Sequence, residues 1–364
     1  MDHRGAVSGM TSDWLGQCHG LPGAAVWVVG TALLSLLLVG ISLRYAHWRG
    51  LLDEPGRRRS HTRVTPRGGG LGLVLAALPA LAWSWFRLTP ALGPVQGAAL
   101  LFALLLLLLI GWLDDHRDLP NLPRLAAHVV ASALLAWVIV QGSGWSPGWK
   151  LLAGAGLLLA AVWSINAHNF MDGIDALLGM QMLFVFTTLA GIAAWLAAPG
   201  IMLACLGIAA ASAGFLCYNR PPARIFMGDV GSVPLGWLVV ALAALLWRHM
   251  PQSLWAVLIL CSAFITDATV TLLRRIWLGR RWYTAHREHV YQWLVRSGFG
   301  HGRVVMAYLA WNLLLALPIA LWALAQPRLG PVLLAAVLIP GAWLQVRIRR
   351  YCLAGRDRRR SGAA

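Results

Sequence analysis

The sequence predicts an all-α, polytopic integral membrane protein with about eleven transmembrane helices. Of its 364 residues, 59% are hydrophobic and only 12% are charged, and the mean hydropathy is +0.67, which lies far outside the range of soluble domains. Apolar runs long enough to cross about 30 Å of hydrocarbon as helices recur along the whole chain. Within these runs polar and apolar residues do not alternate as they do in the strands of a membrane barrel.

The apolar runs follow one another with short connections, so we expect a single transmembrane domain over residues 24–346. A periplasmic N-terminal segment, residues 1–23, precedes it, and a basic cytoplasmic tail, residues 347–364, follows it. The expected spans are Ala24–Leu43, Gly69–Phe86, Pro94–Leu113, Leu125–Val140, Trp149–Ile165, Ala176–Ala197, Gly200–Tyr218, Val233–Trp247, Leu254–Leu273, Val304–Ala325 and Gly330–Val346.

The net charge of +17 is explained by membrane topology rather than by a nucleic-acid partner. If the spans alternate sides, 25 of the 30 lysines and arginines lie on the side of the C-terminus. The positive-inside rule then places the N-terminus outside and the C-terminus in the cytoplasm. The five cysteines are scattered without metal-ligand spacing, so neither zinc nor a disulfide framework is predicted.

The acidic residues gather on the same side of the membrane. Nine of the 13 acids fall on predicted cytoplasmic loops or span ends, whereas the outer side has two near the free N-terminus. Solvated loops would carry acids on both sides. Carboxylates at the ends of separate helices, all on one side of the membrane, therefore indicate a functional site.

The segment 111-GWLDDHRDLP-120 ends an apolar run with two adjacent carboxylates, Asp114 and Asp115. Asp118 is expected one turn later on the same helical face, until Pro120 discourages further helix. Like charges this close repel unless a cation lies among them, and carboxylates are hard ligands suited to Mg²⁺ or Mn²⁺. Solvated acids at a helix end are the alternative explanation of this segment.

Two further segments combine acids with glycines at span ends. In 166-NAHNFMDGIDALLG-179, Asn166, Asn169, Asp172 and Asp175 recur at every third position, which an interfacial turn alone explains poorly. In 225-IFMGDVGS-232, glycines flank Asp229 and allow a close backbone approach. Here Ser232 is expected to cap the following helix, whose free N–H groups would then suit phosphate oxygens.

The segment 274-RRIWLGRRWYTAHREHVYQ-292 combines histidines with arginines. His286 and His289 fall on one helical face, and they suit phosphate binding or acid–base chemistry. An amphipathic interfacial segment with topological charge is an equally good alternative. Asp267, about two turns inside the ninth span, is predicted to be functional or paired, although no partner can be named from the sequence.

These four segments in this order resemble the polyprenyl-phosphate N-acetylhexosamine-1-phosphate transferases, glycosyltransferase family 4. The match runs from the D-P...RRSH...TP..GG loop at residues 53–70 to the histidine segment ending at residue 292. The resemblance implies transfer of a sugar 1-phosphate from a UDP-N-acetyl sugar to undecaprenyl phosphate in the bilayer of a bacterial inner membrane, with the active site on the cytoplasmic side. It also implies Mg²⁺, with Mn²⁺ as the alternative ion, and it is compatible with a homodimer.

The resemblance assigns roles to the residues that match the family motifs. Asp229 in GDxGS is implied as the metal ligand together with Asp172, and Asp114 and Asp115 as the catalytic pair that faces the lipid phosphate. Asn169, Asp172 and Asp175 match an NxxDGxD motif, in which both acids are implied to be catalytic and the asparagine to bind substrate.

The resemblance implies substrate contacts at four more residues. Phe226 matches the aromatic residue that stacks on uracil, and Asn219 matches a nearby polar contact. In 286-HREHVYQ-292 the resemblance implies that His286 and Arg287 bind substrate and that His289 is catalytic. Many members have D-R-x-H-x-H-H there, so this segment departs from the pattern.

The departures favour one branch of the family. Asp118 stands where the peptidoglycan translocases typically have lysine, and the histidine segment resembles the branch that initiates O-antigen synthesis with FucNAc- or QuiNAc-type sugars. GlcNAc is therefore one of three candidate sugars. Ala176 also replaces a usual glycine. Two other functions stay open. An intramembrane prenyltransferase would need two long-spaced acidic motifs in homologous halves of the chain. A transporter would need inverted repeats around a site near the midplane of the membrane.

Overall fold

The computed structural model describes residues 20–54, 63–141, 143–281 and 286–361, and a helix lies at each expected span. The N-terminal segment 1–19, most of the basic loop at 55–62 and the end of the tail lie outside the described residues. In chain order the elements are α1 (Gly20–Arg49), β1 (Leu52–Asp53), β2 (Thr65–Pro66), α2 (Gly70–Arg117), α3 (Asn121–Val140), α4 (Pro147–Met171), α5 (Leu177–Trp195), α6 (Pro199–Asn219), α7 (Asp229–His249), α8 (Ser253–Leu260), α9 (Ser262–Trp277), α10 (Val290–Arg296), α11 (His301–Trp311), a π-helical turn (Asn312–Ala316), α12 (Leu317–Ala325), a 3₁₀ turn (Pro327–Leu329) and α13 (Gly330–Ser361).

The protein is an all-α, polytopic membrane protein, although its spans are less uniform than the sequence suggests. Nine helices in the described part of the chain are long and apolar enough to cross a membrane, or ten if the bent pair α8 and α9 is one span. The expected second and third spans lie in α2 as two helical segments, which are separated at Gly93, where the backbone is not helical (φ +74°, ψ 163°). The first part of α2, Gly70–Trp85, is a shorter apolar helix.

The helix α7 is the most deeply enclosed of the candidate spans, with 83% of its most apolar stretch buried. It packs against α2 and α4, while α6 packs against α1, α2 and α5. The indole of Trp237 on α7 is buried and donates a hydrogen bond to the carbonyl of Ala131 on α3 (3.3 Å). Buried donors inside a bilayer need such partners, since no water is available there.

Glycine allows the acid-bearing ends of α2 and α7 to touch. A Cβ atom at Gly111 on α2 would lie within 2.5 Å of the backbone carbonyl oxygen of Asp229. A second close contact pairs Gly70 with Gly231. This close approach places the C-terminal end of α2, with its two carboxylates, directly beside the N-terminal end of α7.

A short antiparallel pair of strands, β1 and β2, joins α1 to α2. The strands place the loop before α2 against the loop before α7, where three backbone hydrogen bonds follow. The N–H of Phe226 donates to Pro66 (2.8 Å), Gly69 donates to Phe226 (2.9 Å) and Gly70 donates to Met227 (2.8 Å). These bonds hold Phe226 in a defined position at the end of the helix bundle.

Candidate functional site

A cavity of about 260 Å³ opens where α2 and α4 end and α7 begins. It contains most of the site residues expected from the sequence: Asp115, Asn169, Asp172, Asp175, Asn219, Phe226 and Asp229. Its other lining residues are Asp53, Arg67, Gly173, Ile174, Gly228, Gln292 and His301. Segments far apart in sequence therefore meet at one place, as the one-sided distribution of acids predicted.

The carboxylate of Asp115 binds the first turn of α7. Its two oxygens accept the N–H groups of Asp229 and Val230, each at 3.1 Å. Gly228 precedes the helix at φ +77°, and a Cβ there would meet the Asp115 carboxylate. The prediction for this helix start was wrong: α7 begins at Asp229 rather than after Ser232, and its first N–H groups are taken by Asp115 instead of facing a phosphate.

Arg124 bridges two carboxylates that come from different helices. One guanidinium nitrogen lies 3.1 Å from Asp114, and another donates to Asp229 at 2.6 Å. The second oxygen of Asp114 accepts the backbone N–H of Leu119 (2.7 Å). Asp114 is therefore adjacent to the cavity rather than one of its lining residues, and Arg124 links it electrostatically to Asp229.

Asn169 and Asp172 complete the acidic wall from the end of α4. The side-chain amide of Asn169 donates to Asp229 (2.8 Å) and to the hydroxyl of Ser232 (3.0 Å). Burial raises the pKa of Asp172 well above its usual value, and the negative charges of Asp229 and Asp115 raise it further. A positive charge beside Asp172 would therefore stabilise its ionised form.

The opposite wall is held by Asp175 and Asn219. Asp175 accepts the N–H of Ala223 (3.1 Å) and lies 3.1 Å from the ring of His301. Asn219 accepts the N–H of Ala176 (2.8 Å) and donates to the carbonyl of Ile225 (2.9 Å). Both side chains therefore join loops around the cavity while they also line it.

Asp118 does not join the acidic group, contrary to the expectation that it shares a face with Asp114 and Asp115. The helix α2 ends at Arg117, and Asp118 takes a left-handed backbone conformation with φ +44°. Its side chain is 87% exposed and pairs with Arg67 at 3.3 Å. The turn out of the helix rotates this carboxylate away from the cavity.

The histidine segment lies beside the cavity and contributes Gln292 to its lining. His286, Arg287 and His289 are not among the lining residues. His289 is buried, and its ring lies 3.3 Å from the Asp267 carboxylate. Burial, with the neighbouring charges of His289 and Arg275, lowers the pKa of His286 to about 4.

Asp267, for which the sequence suggested no partner, anchors this segment. Its oxygens accept the backbone N–H of Val290 (3.0 and 3.1 Å) and the hydroxyl of Tyr308 (2.6 Å). Tyr291 in turn donates to the carbonyl of Phe170 at the end of α4 (2.8 Å). The buried carboxylate therefore fixes the start of α10, and α10 fixes Gln292 in the cavity wall.

The chemistry of the acidic wall suits a divalent cation that shares its ligands with a substrate. No group of three or more His, Cys, Asp or Glu side chains in the described residues is close enough to hold a metal alone. Mg²⁺, however, usually takes one or two carboxylates together with waters and substrate phosphates. Asp172 and Asp229, which line one cavity together with Asp115 and Asp175, fit that mode of binding.

Three basic residues that line the cavity or lie next to it were not predicted as site residues from the sequence: Arg67, Arg124 and His301. The positive-inside bias explains any single arginine in these loops, so charge alone could not single out Arg124. The signal that could have found it is its position one turn into α3, directly after the acid-rich end of α2. A basic residue there is placed to face the carboxylates of the preceding helix.

Comparison with known proteins agrees with this geometry. The model of glycosyl transferase family 4 matches residues 98–247, which hold every acid of the cavity except Asp53. The chain is 28% identical to the decaprenyl-phosphate N-acetylglucosaminephosphotransferase of Mycobacterium leprae, over 88% of this chain and 90% of that protein.

Two other relatives cover different functions within the family. The chain is 33% identical to the phospho-N-acetylmuramoyl-pentapeptide-transferase of Synechococcus elongatus, over 69% of this chain and 68% of that protein. It is 26% identical to a probable undecaprenyl-phosphate N-acetylglucosaminyl 1-phosphate transferase of Bacillus subtilis, over 75% and 78%. With its multi-pass helical fold and its acidic cavity, the chain belongs to glycosyl transferase family 4 and is a membrane-embedded sugar-phosphate transferase.

Proposed function

We propose that the protein transfers an N-acetylhexosamine 1-phosphate from a UDP-sugar to undecaprenyl phosphate, releasing UMP and leaving a sugar-diphospho-undecaprenol. The observation that carries this proposal is the convergence of Asp115, Asp172 and Asp229 with Arg124 at one cavity. The names of the mycobacterial and Bacillus relatives support a polyprenyl phosphate acceptor and an N-acetylglucosamine-type donor. They also make UDP-GlcNAc the first donor to test.

The cavity would hold the polar parts of the two substrates while the lipid chain stays in the bilayer. Its volume of about 260 Å³ is near the lower limit of small-molecule pockets, roughly 300–1,000 Å³. The ring of Phe226 would stack on the uracil, with Asn219 beside it. Asp114 and Asp115 lie near the C-terminal end of α2, at the membrane surface where a lipid phosphate would arrive.

In the reaction, an oxygen of the lipid phosphate forms a bond to the phosphorus that carries the sugar, and the bond from that phosphorus to the oxygen of UMP breaks. A lipid phosphate with a second pKa near about 6 is already ionised at neutral pH, so no protein base is required. Mg²⁺, held by Asp172 and Asp229, would supply charge neutralisation for the phosphates. Arg124 would add a fixed positive charge on the same side.

Positioning is the other task of these residues. Asp115 holds the start of α7, so it fixes Asp229 relative to α2. Asn169 fixes the other oxygen of Asp229 through its amide. A site arranged before substrate binds loses little energy in reorganisation when charge develops in the transition state.

The cellular setting follows from the predicted topology. We propose that the protein lies in the bacterial inner membrane, with the cavity open to the cytoplasm, where nucleotide sugars are found. The departures at Asp118 and in the histidine segment support a role in starting a cell-envelope polysaccharide such as O-antigen, with GlcNAc, FucNAc or QuiNAc as the sugar.

The test is UMP release by the purified protein with undecaprenyl phosphate, Mg²⁺ and a panel of UDP-sugars. We expect turnover with at least one UDP-N-acetylhexosamine and none with UDP-glucose. The matched pair Asp229→Asn and Asp118→Asn separates the site from its surroundings, because only the first carboxylate lies in the cavity. Equal turnover by the two variants would contradict the assignment of the site.

A further inference from the structure

A second charged cluster lies outside the cavity, where the end of α9 meets α13. Four arginines, namely Arg274, Arg275, Arg280 and Arg349, surround the carboxylate of Glu288. The nitrogen–oxygen distances for Arg274, Arg280 and Arg349 are 3.1, 2.9 and 3.8 Å, and Arg275 makes the shortest pair. We call this group the arginine cluster.

The arginine cluster carries three more positive charges than the one carboxylate it encloses. Burial alone would raise the pKa of Glu288. Hydrogen bonds and positive charges from Arg280 and Arg275 have the larger effect, so the pKa lies below its usual value. Asp267, a buried acid on the same helix α9, already accepts hydrogen bonds from Val290 and Tyr308. Guanidinium groups held this close repel one another unless a further anion joins them.

The cluster is rigid on one side and open on the other. Arg275 is only 7% exposed and also donates to the carbonyl of Arg281 (2.7 Å). Arg349 lies over the ring of Trp293 at 5.5 Å. Arg280, by contrast, is 49% exposed, so an anion can reach the cluster from outside without displacing Glu288.

The surroundings of the open side indicate a membrane lipid rather than a soluble anion. Trp277, at the end of α9 between Arg274 and Arg280, is 85% exposed. Leu273, Ile276 and Leu278 beside it are also exposed. Exposed indole and apolar side chains directly below basic residues are typical of the level where lipid head groups meet acyl chains.

We propose that the arginine cluster is a binding site for the head-group phosphate of an anionic phospholipid, separate from the acceptor site in the cavity. Arginine forks match phosphate oxygens in geometry and charge. Because Glu288 and His289 are adjacent, a lipid bound here would stabilise the segment that carries Gln292 into the cavity wall. The site would thus connect the lipid composition of the membrane to the shape of the cavity.

The experiment measures energy transfer from the protein's tryptophans to dansyl-labelled phosphatidylglycerol in neutral micelles. In the double variant Arg280→Gln/Arg349→Gln we expect the apparent Kd to rise about thirtyfold, since each basic residue near an anionic head group contributes about a factor of five. The matched control is Arg49→Gln, an exposed arginine that lies over exposed Trp48 at the end of α1. It should change the Kd by less than about twofold.

Further arms test the folding of the variants and the identity of the lipid. Binding of dansyl-labelled phosphatidylcholine should be the same in all variants if they are folded. The variant Glu288→Gln should bind phosphatidylglycerol more tightly, whereas a purely structural cluster would lose binding with its central carboxylate.

Two outcomes would overturn the proposal. The first is a double variant that keeps the Kd of the unaltered protein, or an Arg49→Gln control that loses as much affinity, since either would show only a general effect of charge. The second is displacement of the labelled lipid by undecaprenyl phosphate far more readily than by unlabelled phosphatidylglycerol, because the cluster would then bind the acceptor. Displacement by millimolar inorganic phosphate would equally contradict a lipid site.

Discussion

Arg124 provides the sharpest test of how the acidic cavity is balanced. Its guanidinium lies 3.1 Å from Asp114 and 2.6 Å from Asp229, and all three side chains are largely buried. Replacing it in Arg124→Gln keeps a polar side chain but removes the positive charge between the two carboxylates. Both carboxylates then face each other without the cation that joins them.

The size of the effect can be estimated from these distances. Two unit charges about 4 Å apart attract by about 4 kcal/mol at an effective dielectric constant of about 20. Desolvation and side-chain entropy offset part of this, and removing one partner of a buried pair costs about 3–5 kcal/mol in measured cases. A loss of about 3 kcal/mol corresponds to a drop in Tm of roughly 6 °C.

The assay compares Tm with and without Mg²⁺, and UMP release, for Arg124→Gln and for the exposed neighbour Arg117→Gln. Mg²⁺ should raise the Tm of Arg124→Gln more than that of the unaltered protein, because the unbalanced carboxylates gain more from a cation. Turnover should fall about a hundredfold or more, the usual effect of losing one group aimed at developing charge. Turnover near that of Arg117→Gln, with an unchanged Mg²⁺ effect on Tm, would refute this reasoning.

Three other expectations concern the same end of the molecule. Asp229→Asn should reduce UMP release at least about a thousandfold, whereas Asp118→Asn should leave it within about twofold, as assay of the purified variants will show. Because the pKa of Asp172 is raised above 3.8 in the folded chain, metal-free protein should lose stability as the pH rises from about 4 through the raised pKa. Thermal unfolding in EDTA should show this slope, and the slope should be smaller in Asp172→Asn. A cysteine introduced at position 118, in a background that lacks Cys18 and the exposed Cys217, should react with an impermeant maleimide only from the cytoplasmic side, and labelling from outside would reverse the topology.

Much of the fold follows from local sequence because the bilayer imposes one simple rule. Every spanning backbone must satisfy its own hydrogen bonds, so each long apolar run becomes a helix. Where the number of spans differs, single residues decide. Gly93 takes a non-helical conformation that separates the two apolar runs within α2, and the bend after Leu260 divides another run into α8 and α9.

The composition of the site was predictable, while its internal contacts were not. Carboxylates at several span ends on one side indicated a shared site, and Asp115, Asp172 and Asp229 do line one cavity. That Asp115 would bind the N–H groups of Asp229 and Val230 depends on how close two glycine-bearing helices approach. Such long-range distances leave no periodic signal in a single sequence.

Ala176 shows how the surroundings can override a local preference. The family pattern has glycine there, and the backbone is left-handed, with φ +66°, a conformation that costs a non-glycine residue about 1 kcal/mol. The hydrogen bond from its N–H to the buried side chain of Asn219 helps to hold it. Local sequence preference favours glycine at this position, and the long-range contact with Asn219 is the kind of feature that a single sequence does not reveal.

The central claim is that a sugar 1-phosphate, and not the sugar alone, passes to the lipid. The most direct measurement uses a UDP-N-acetylhexosamine that is radiolabelled at the phosphorus attached to the sugar, with undecaprenyl phosphate and the purified protein. We predict that the label moves into the organic phase with the lipid while unlabelled UMP stays in the aqueous phase. Recovery of the label as UDP in the aqueous phase would contradict this account.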